Sequence, residues 1–144
     1  MLFTAVSNSE FDMTIRDASY QALETVLNQY LSLDPEISQQ LGKLHGAVIG
    51  FDLTGTGITL YFVPDQNGLV QVFSQIEAKA DCMIKGSPFT LLRSNNEDNA
   101  KQVFSGEVQI EGNSSLAQEF TRILKQVDVD WEEQLSRITG DIIA

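Results

Sequence analysis

Apolar positions along this chain follow two periods, and the change from one to the other outlines its elements. Tyr20, Leu23, Leu27, Tyr30 and Leu31 recur at helical spacing, which predicts a first helix beginning near Asp17 as its N-cap. Asp34-Pro35 stops that helix and starts a second, with Pro35 at the first helical position; Ile37, Leu41 and Leu44 form its stripe and Gly46 ends it. The period then becomes two. Ile49, Phe51 and Leu53 alternate with polar or small residues, residues 54–57 form a turn, and Ile58, Leu60 and Phe62 resume the alternation, which is a hairpin. A second turn at 64–68 leads to a third strand at 69–73. Residues 74–80 cross over to a fourth strand at 81–85, with Cys82 and Ile84 inward. Gly86-Ser87-Pro88 starts a short helix carrying Phe89, Leu91 and Leu92. Asn95 to Asn99 reads as a loop, and 100–104 as one helical turn.

The most informative stretch runs from Val103 to Asp141. Val108 and Ile110 alternate with Glu107, Gln109 and Glu111, the period of a strand with one face buried. Gly112 and Asn113 break it. Leu116, Phe120, Ile123, Leu124 and Val127 then form one apolar helix stripe, with Ser115 and Gln118 as a possible capping pair. Asp130 opens a last helix, with Glu133 placed to close a capping box and Trp131, Leu135 and Ile138 on one side. An apolar stripe must lie on something, and the neighbouring strand is the expected partner. The sum is an α+β domain: a five-stranded, mostly antiparallel sheet covered on one face by helices. Where sheet and helices fail to close fully, an apolar slot remains.

The chain has 144 residues, the length of one domain. Residues 1–16 show no period and read as a flexible arm, within which Met13 is an alternative start; the domain is expected over 17–144. Net charge is −11 and the nine basic residues are scattered, which argues against nucleic acid and against an anionic membrane surface. A single cysteine forbids an internal disulfide and fits a reducing compartment. No apolar run reaches bilayer-spanning length and no basic residue precedes the short apolar patch at 2–6, so no transmembrane segment or signal peptide is expected and the expected location is cytoplasmic.

Candidate chemistry is sparse. His45 is the only histidine and sits beside Gly46, where an imidazole caps helix carbonyls; with no second ligand nearby in sequence, no metal site is expected. Cys82 reads as a small buried hydrophobe rather than a nucleophile. Gly55-Thr56-Gly57 is a turn and not a phosphate loop, since no helix and no Lys-Ser/Thr pair follows. Asp128, Asp130, Glu132 and Glu133 suit a helix N-terminus better than a cation. Asn113-Ser114-Ser115 fits a glycosylation sequon, but its expected role is a helix start.

Three motifs resemble the sterol carrier protein type 2 family of lipid-binding domains, over about Tyr20 to Asp141. Asp81-Cys82-x-Ile84-x-Gly86-x-Pro88 is similar to the family's strand-to-helix element. Phe104-x-Gly106-x-Val108-x-Ile110-x-Gly112 is similar to its final strand, with Asn113 where an Asp usually follows. Asp128-x-Asp130-Trp131-Glu132-Glu133-x-Leu135, ending at Gly140-Asp141, resembles the family's ubiquinone biosynthesis accessory-factor branch. The resemblance implies a five-stranded sheet with helices over an apolar tunnel, an octaprenylated phenol or quinone precursor as ligand, no cofactor, and no catalysis. The domain would present lipid to ubiquinone biosynthesis enzymes. It also implies a C-terminal helical region, pairing with a small coiled-coil partner, beyond the Ala144 at which this chain stops. The family supplies no catalytic residues to carry over. The tunnel lining is therefore assigned from the apolar pattern alone: Phe62, Phe89, Phe104, Val108, Ile110, Leu116, Phe120, Ile123, Leu124 and Trp131. Ordinary core packing is the competing role for each, and a structural module with a filled interior is the competing reading of the whole.

Overall fold

A computed structural model describes residues 15–93 and 107–140. Its elements in order are α1 (Ile15–Ser32), α2 (Pro35–Gly42), β1 (Ile49–Leu53), β2 (Ile58–Pro64), β3 (Val70–Phe73), β4 (Cys82–Gly86), α3 (Pro88–Arg93), β5 (Gln109–Gly112), α4 (Ser114–Leu124) and α5 (Trp131–Thr139). The helical turn expected at 100–104 and the loop before it lie outside the described residues, as does the arm up to residue 14.

Helix α1 begins two residues before the expected cap, so Asp17 lies in its first turn. An acidic residue is favourable at either place, next to the unpaired N–H groups, so the pattern alone does not separate them. At α2 the cap is as expected: Asp34 Oδ1 accepts from Ile37 N at 3.2 Å. That helix stops at Gly42 rather than running to Gly46. Beyond it the chain tightens, with Leu44 N donating to Leu41 O and His45 N to Gly42 O, and Gly46 ends the turn at a φ of 83°. Leu44 still packs half-buried against the core.

The sheet order is β3-β2-β1-β4-β5. Three pairings are antiparallel, and the central one, β1 with β4, is parallel. Segment 74–81 carries the chain from one edge of the sheet across to the far side of β1 instead of turning back as a hairpin. Its helix-covered face is continuous: Ile49 and Leu53 of β1, Leu60 and Phe62 of β2, Val70 of β3, and Cys82 and Ile84 of β4 are all buried. Helix α1 lies against β3; α4 lies against β1, β4 and β5; α5 packs on α1 and touches α3. Leu23, Leu27 and Leu31 of α1 join Ile37 and Leu41 of α2 and Phe120 and Ile123 of α4 in one core with those strands.

Helix α1 also reaches the outer edge of β3. The Asn28 carboxamide accepts from Val70 N at 2.8 Å and donates to Val70 O at 2.9 Å, and Glu24 Oε1 accepts from Val72 N at 2.7 Å. These bonds occupy backbone groups that would otherwise be free to recruit another strand.

Candidate functional site

The turn from β5 into α4 positions the helix that roofs the sheet. Gly112 has a φ of 82°, and a Cβ there would meet Asp81 O at 2.5 Å, so the position requires glycine. Asn113 N donates to that same Asp81 oxygen at 2.9 Å, while Asp81 also bonds Val48 through both its backbone N–H and its carboxylate. One aspartate thus ties together the starts of β1, β4 and α4. The helix cap is Asn113, whose Oδ1 accepts from Leu116 N at 3.0 Å. The possible pair Ser115–Gln118 lies two residues too late, because the chain turns helical immediately after Asn113.

Beneath α4 lies an aromatic cluster. The Phe62 and Phe120 rings stand 5.6 Å apart, Phe51 and Phe62 meet edge to face at 5.4 Å, and Phe51 and Phe120 are 6.3 Å apart. Phe120 and Ile123 are wholly buried. Phe51 is not. It occupies the centre of the covered face, on the middle strand; Ile49 and Leu53 beside it are 0% and 1% exposed, and its cross-strand partners Leu60 and Ile84 are 2% and 4% exposed. Phe51 itself is only half-buried. Ile110 of the edge strand β5, paired with Ile84, is half-buried as well, so in the row Leu60–Phe51–Ile84–Ile110 the cover is looser at Phe51 and at the β5 edge than at Leu60 and Ile84. The sequence does not single out Phe51, because its alternation is identical to that of Ile49 and Leu53.

The other candidates divide into three groups. Phe62, Phe120, Ile123 and Val108 are buried in the core. Ile110, Leu116, Leu124 and Trp131 pack half-buried against it. Phe89 is apart from both: on α3 it is 66% exposed, with the Arg93 guanidinium 5.5 Å from its ring. A six-residue helix buries little, and Pro88 and Leu91 take its inner side, Leu91 lying over Gly86. Phe104 lies outside the described residues. Val108 precedes β5 yet keeps its side chain inside.

Groups capable of chemistry are occupied structurally. Burial and the neighbouring Asp81 carboxylate push the Cys82 thiol up to about 11, so it is protonated at neutral pH. His45 Nδ1 lies 2.8 Å from Gly42 O, at the helix end as expected. Asp130 caps α5, accepting from Glu133 N at 3.1 Å, while Glu133 turns outward to pair with Arg137 at 2.8 Å instead of closing a capping box. Among the described residues no three His, Cys, Asp or Glu side chains could together hold a metal ion. A groove between α1 and α5, lined by Ala18, Ser19, Ala22, Ser136 and the Glu133–Arg137 pair, is open and walled by small or charged groups.

The SCP-2 sterol transfer family model matches residues 27–125. The chain is 29% identical over 124 residues to the ubiquinone biosynthesis accessory factor UbiJ of Salmonella typhimurium, and 27% identical to that of Escherichia coli K12. Each match takes in 85% of this chain and 61% of the relative, so the chain spans somewhat under two-thirds of the length of these proteins. Among solved structures, the UbiJ-SCP2 ubiquinone synthesis protein superposes with a TM-score of 0.65 at 21% identity, over 76% of this chain and 95% of that one. Sterol carrier protein domain 2 of Helicoverpa armigera gives 0.50 at 21% identity, over 76% and 87%. At such identities the structural likeness speaks for the fold alone. With more than half its length covered by the family model, the chain belongs to the SCP-2 sterol transfer family.

Proposed function

We propose that this domain is a non-catalytic carrier. It binds prenylated phenol or quinone intermediates of ubiquinone biosynthesis and presents them to the enzymes that modify them, in the cytoplasm. The likeness to the accessory factors over 85% of the chain supports the pathway. The half-burial of Phe51 between the buried Leu60 and Ile84 is the observation that carries the site. In this reading the prenyl tail lies over Phe51, between the half-buried Ile110, Leu116 and Leu124, and the ring end lies toward Trp131. Each Å² of apolar surface a tail buries is worth on the order of 25 cal/mol, so several isoprene units suffice for micromolar binding after ordering costs. The protonated Cys82 and the absence of a metal-ligand cluster among the described residues support carriage over catalysis. No helix among the described residues is long and apolar enough to cross a membrane. Recruitment of a small coiled-coil partner is assigned to the part of the relatives that this chain does not span.

One observation favours the alternative, an interaction module with a filled interior: Phe120 and Ile123 leave no exposed surface beneath α4. Native mass spectrometry of protein purified from a ubiquinone-producing bacterium separates the two readings. The carrier is expected to bring prenylated lipid with it, and Phe51→Trp, whose larger ring would occupy the place of the tail in this reading, is expected to lose that lipid while melting as a folded protein. A lipid-free wild type with the same melting profile would leave only the module.

A further inference from the structure

Three polar side chains are buried among the described residues: Ser19, Gln134 and Thr139. Two have partners. Ser19 Oγ donates to Arg137 O, and Thr139 Oγ1 donates to Leu135 O at 2.8 Å. Gln134 is 4% exposed, and its Oε1 has no hydrogen-bond partner. A buried carbonyl oxygen left unpaired costs about 1–3 kcal/mol, and native structures rarely tolerate one without a reason. Gln134 stands one helical turn from Trp131 and Ile138 and directly precedes Leu135, so it shares the inward side of α5 with the half-buried tryptophan. A methionine of nearly the same shape would fill this position without the penalty.

We infer that Gln134 Oε1 is the acceptor for the polar end of the ligand, which makes this residue a specificity determinant for amphipathic lipids carrying a hydroxyl donor. This rests on the carrier reading. An apolar tail supplies affinity for any prenyl chain, whereas a buried acceptor without a protein partner distinguishes a chain that ends in O–H from one that does not. An alcohol satisfies the oxygen; an ether or hydrocarbon of the same length leaves it unpaired.

The test uses the whole chain, with quenching of its single tryptophan, Trp131, as the binding signal. The probes are geranylgeraniol, its methyl ether and the saturated hydrocarbon phytane. Wild type is expected to prefer the alcohol to the ether by about tenfold, the size of one buried hydrogen bond. In Gln134→Met that preference should fall to about one, with binding of the ether and phytane unchanged or tighter. Without lipid, Gln134→Met should melt at or above the wild-type temperature, since it removes an unpaired acceptor. An equal alcohol-to-ether ratio in wild type and variant overturns the inference while leaving the carrier intact. A lower melting temperature for the lipid-free variant also overturns it, because the oxygen would then already be satisfied. Failure of all three probes to bind wild type removes the carrier reading and this inference together.

Discussion

Truncating Phe120 to alanine would remove a ring that no solvent reaches, packed between Phe51 and Phe62, and should cost about 3–5 kcal/mol in a urea melt. Phe120→Asp should go further and unfold the domain, because an unpaired charge there has neither water nor partner; circular dichroism reads this directly. A folded Phe120→Asp protein stripped of lipid would instead make Phe120 part of the ligand's wall. Cys82 gives a second prediction at this scale. Its thiol titrates near 11 in the folded protein against 9.0 for an unperturbed thiol. At pH 8 only about one molecule in a thousand would carry a thiolate, so a thiol reagent should label the native protein slowly and the urea-unfolded protein quickly. The sign of the linked pH effect follows. Above pH 9 the unfolded chain releases a proton that the folded chain still holds, so stability present below pH 9 is lost as pH rises toward 11. Wild type should therefore lose melting temperature over that window more steeply than Cys82→Ala does.

At the scale of elements, what could be read from the chain depended on how far apart the partners lie. Asp34 and Asp130 are legible caps because donor and acceptor are three residues apart. The α4 start was legible at 113–115 but its cap residue was left open, because Asn113 and Ser115 are both good cap residues, and the choice between them goes with a positive φ at Gly112, which packs against Asp81 more than thirty residues upstream. Asn113→Ala should cost about 1 kcal/mol, whereas Ser115→Ala should change the melt little. Strands were found from alternation, but the parallel neighbour of β1 was not, since periodicity carries no partner. The same holds for the sealed edge of β3, where Asn28 and Val70 are 42 residues apart. Asn28→Leu keeps the helix but strips Val70 of two bonds, which should cost about 2 kcal/mol. It should also make the protein self-associate at high concentration, visible by light scattering, because the strand edge becomes available.

For the whole molecule, the covered face of the sheet was legible residue by residue, while the place where the cover is thin was not. That Phe51 is half-buried depends on where α4 comes to rest on the sheet, and no local pattern encodes the distance between a helix and a strand. Of the residues read from the apolar pattern as lining, Phe89 is exposed, and the half-buried Phe51 was not among them. The parallel pairing at the centre of the sheet has a further consequence, for the order of events on the ribosome. Helices α1 and α2 and strands β1–β3 emerge first and can assemble, sealing the β3 edge as they do. The opposite edge of this half-sheet is β1, the future middle, and it stays naked after β3 ends at Phe73 until β4, Cys82–Gly86, is synthesised. During that interval the nascent chain presents Ile49, Phe51 and Leu53 on a strand with an unoccupied flank, which is the form a trigger-type chaperone would be expected to shield.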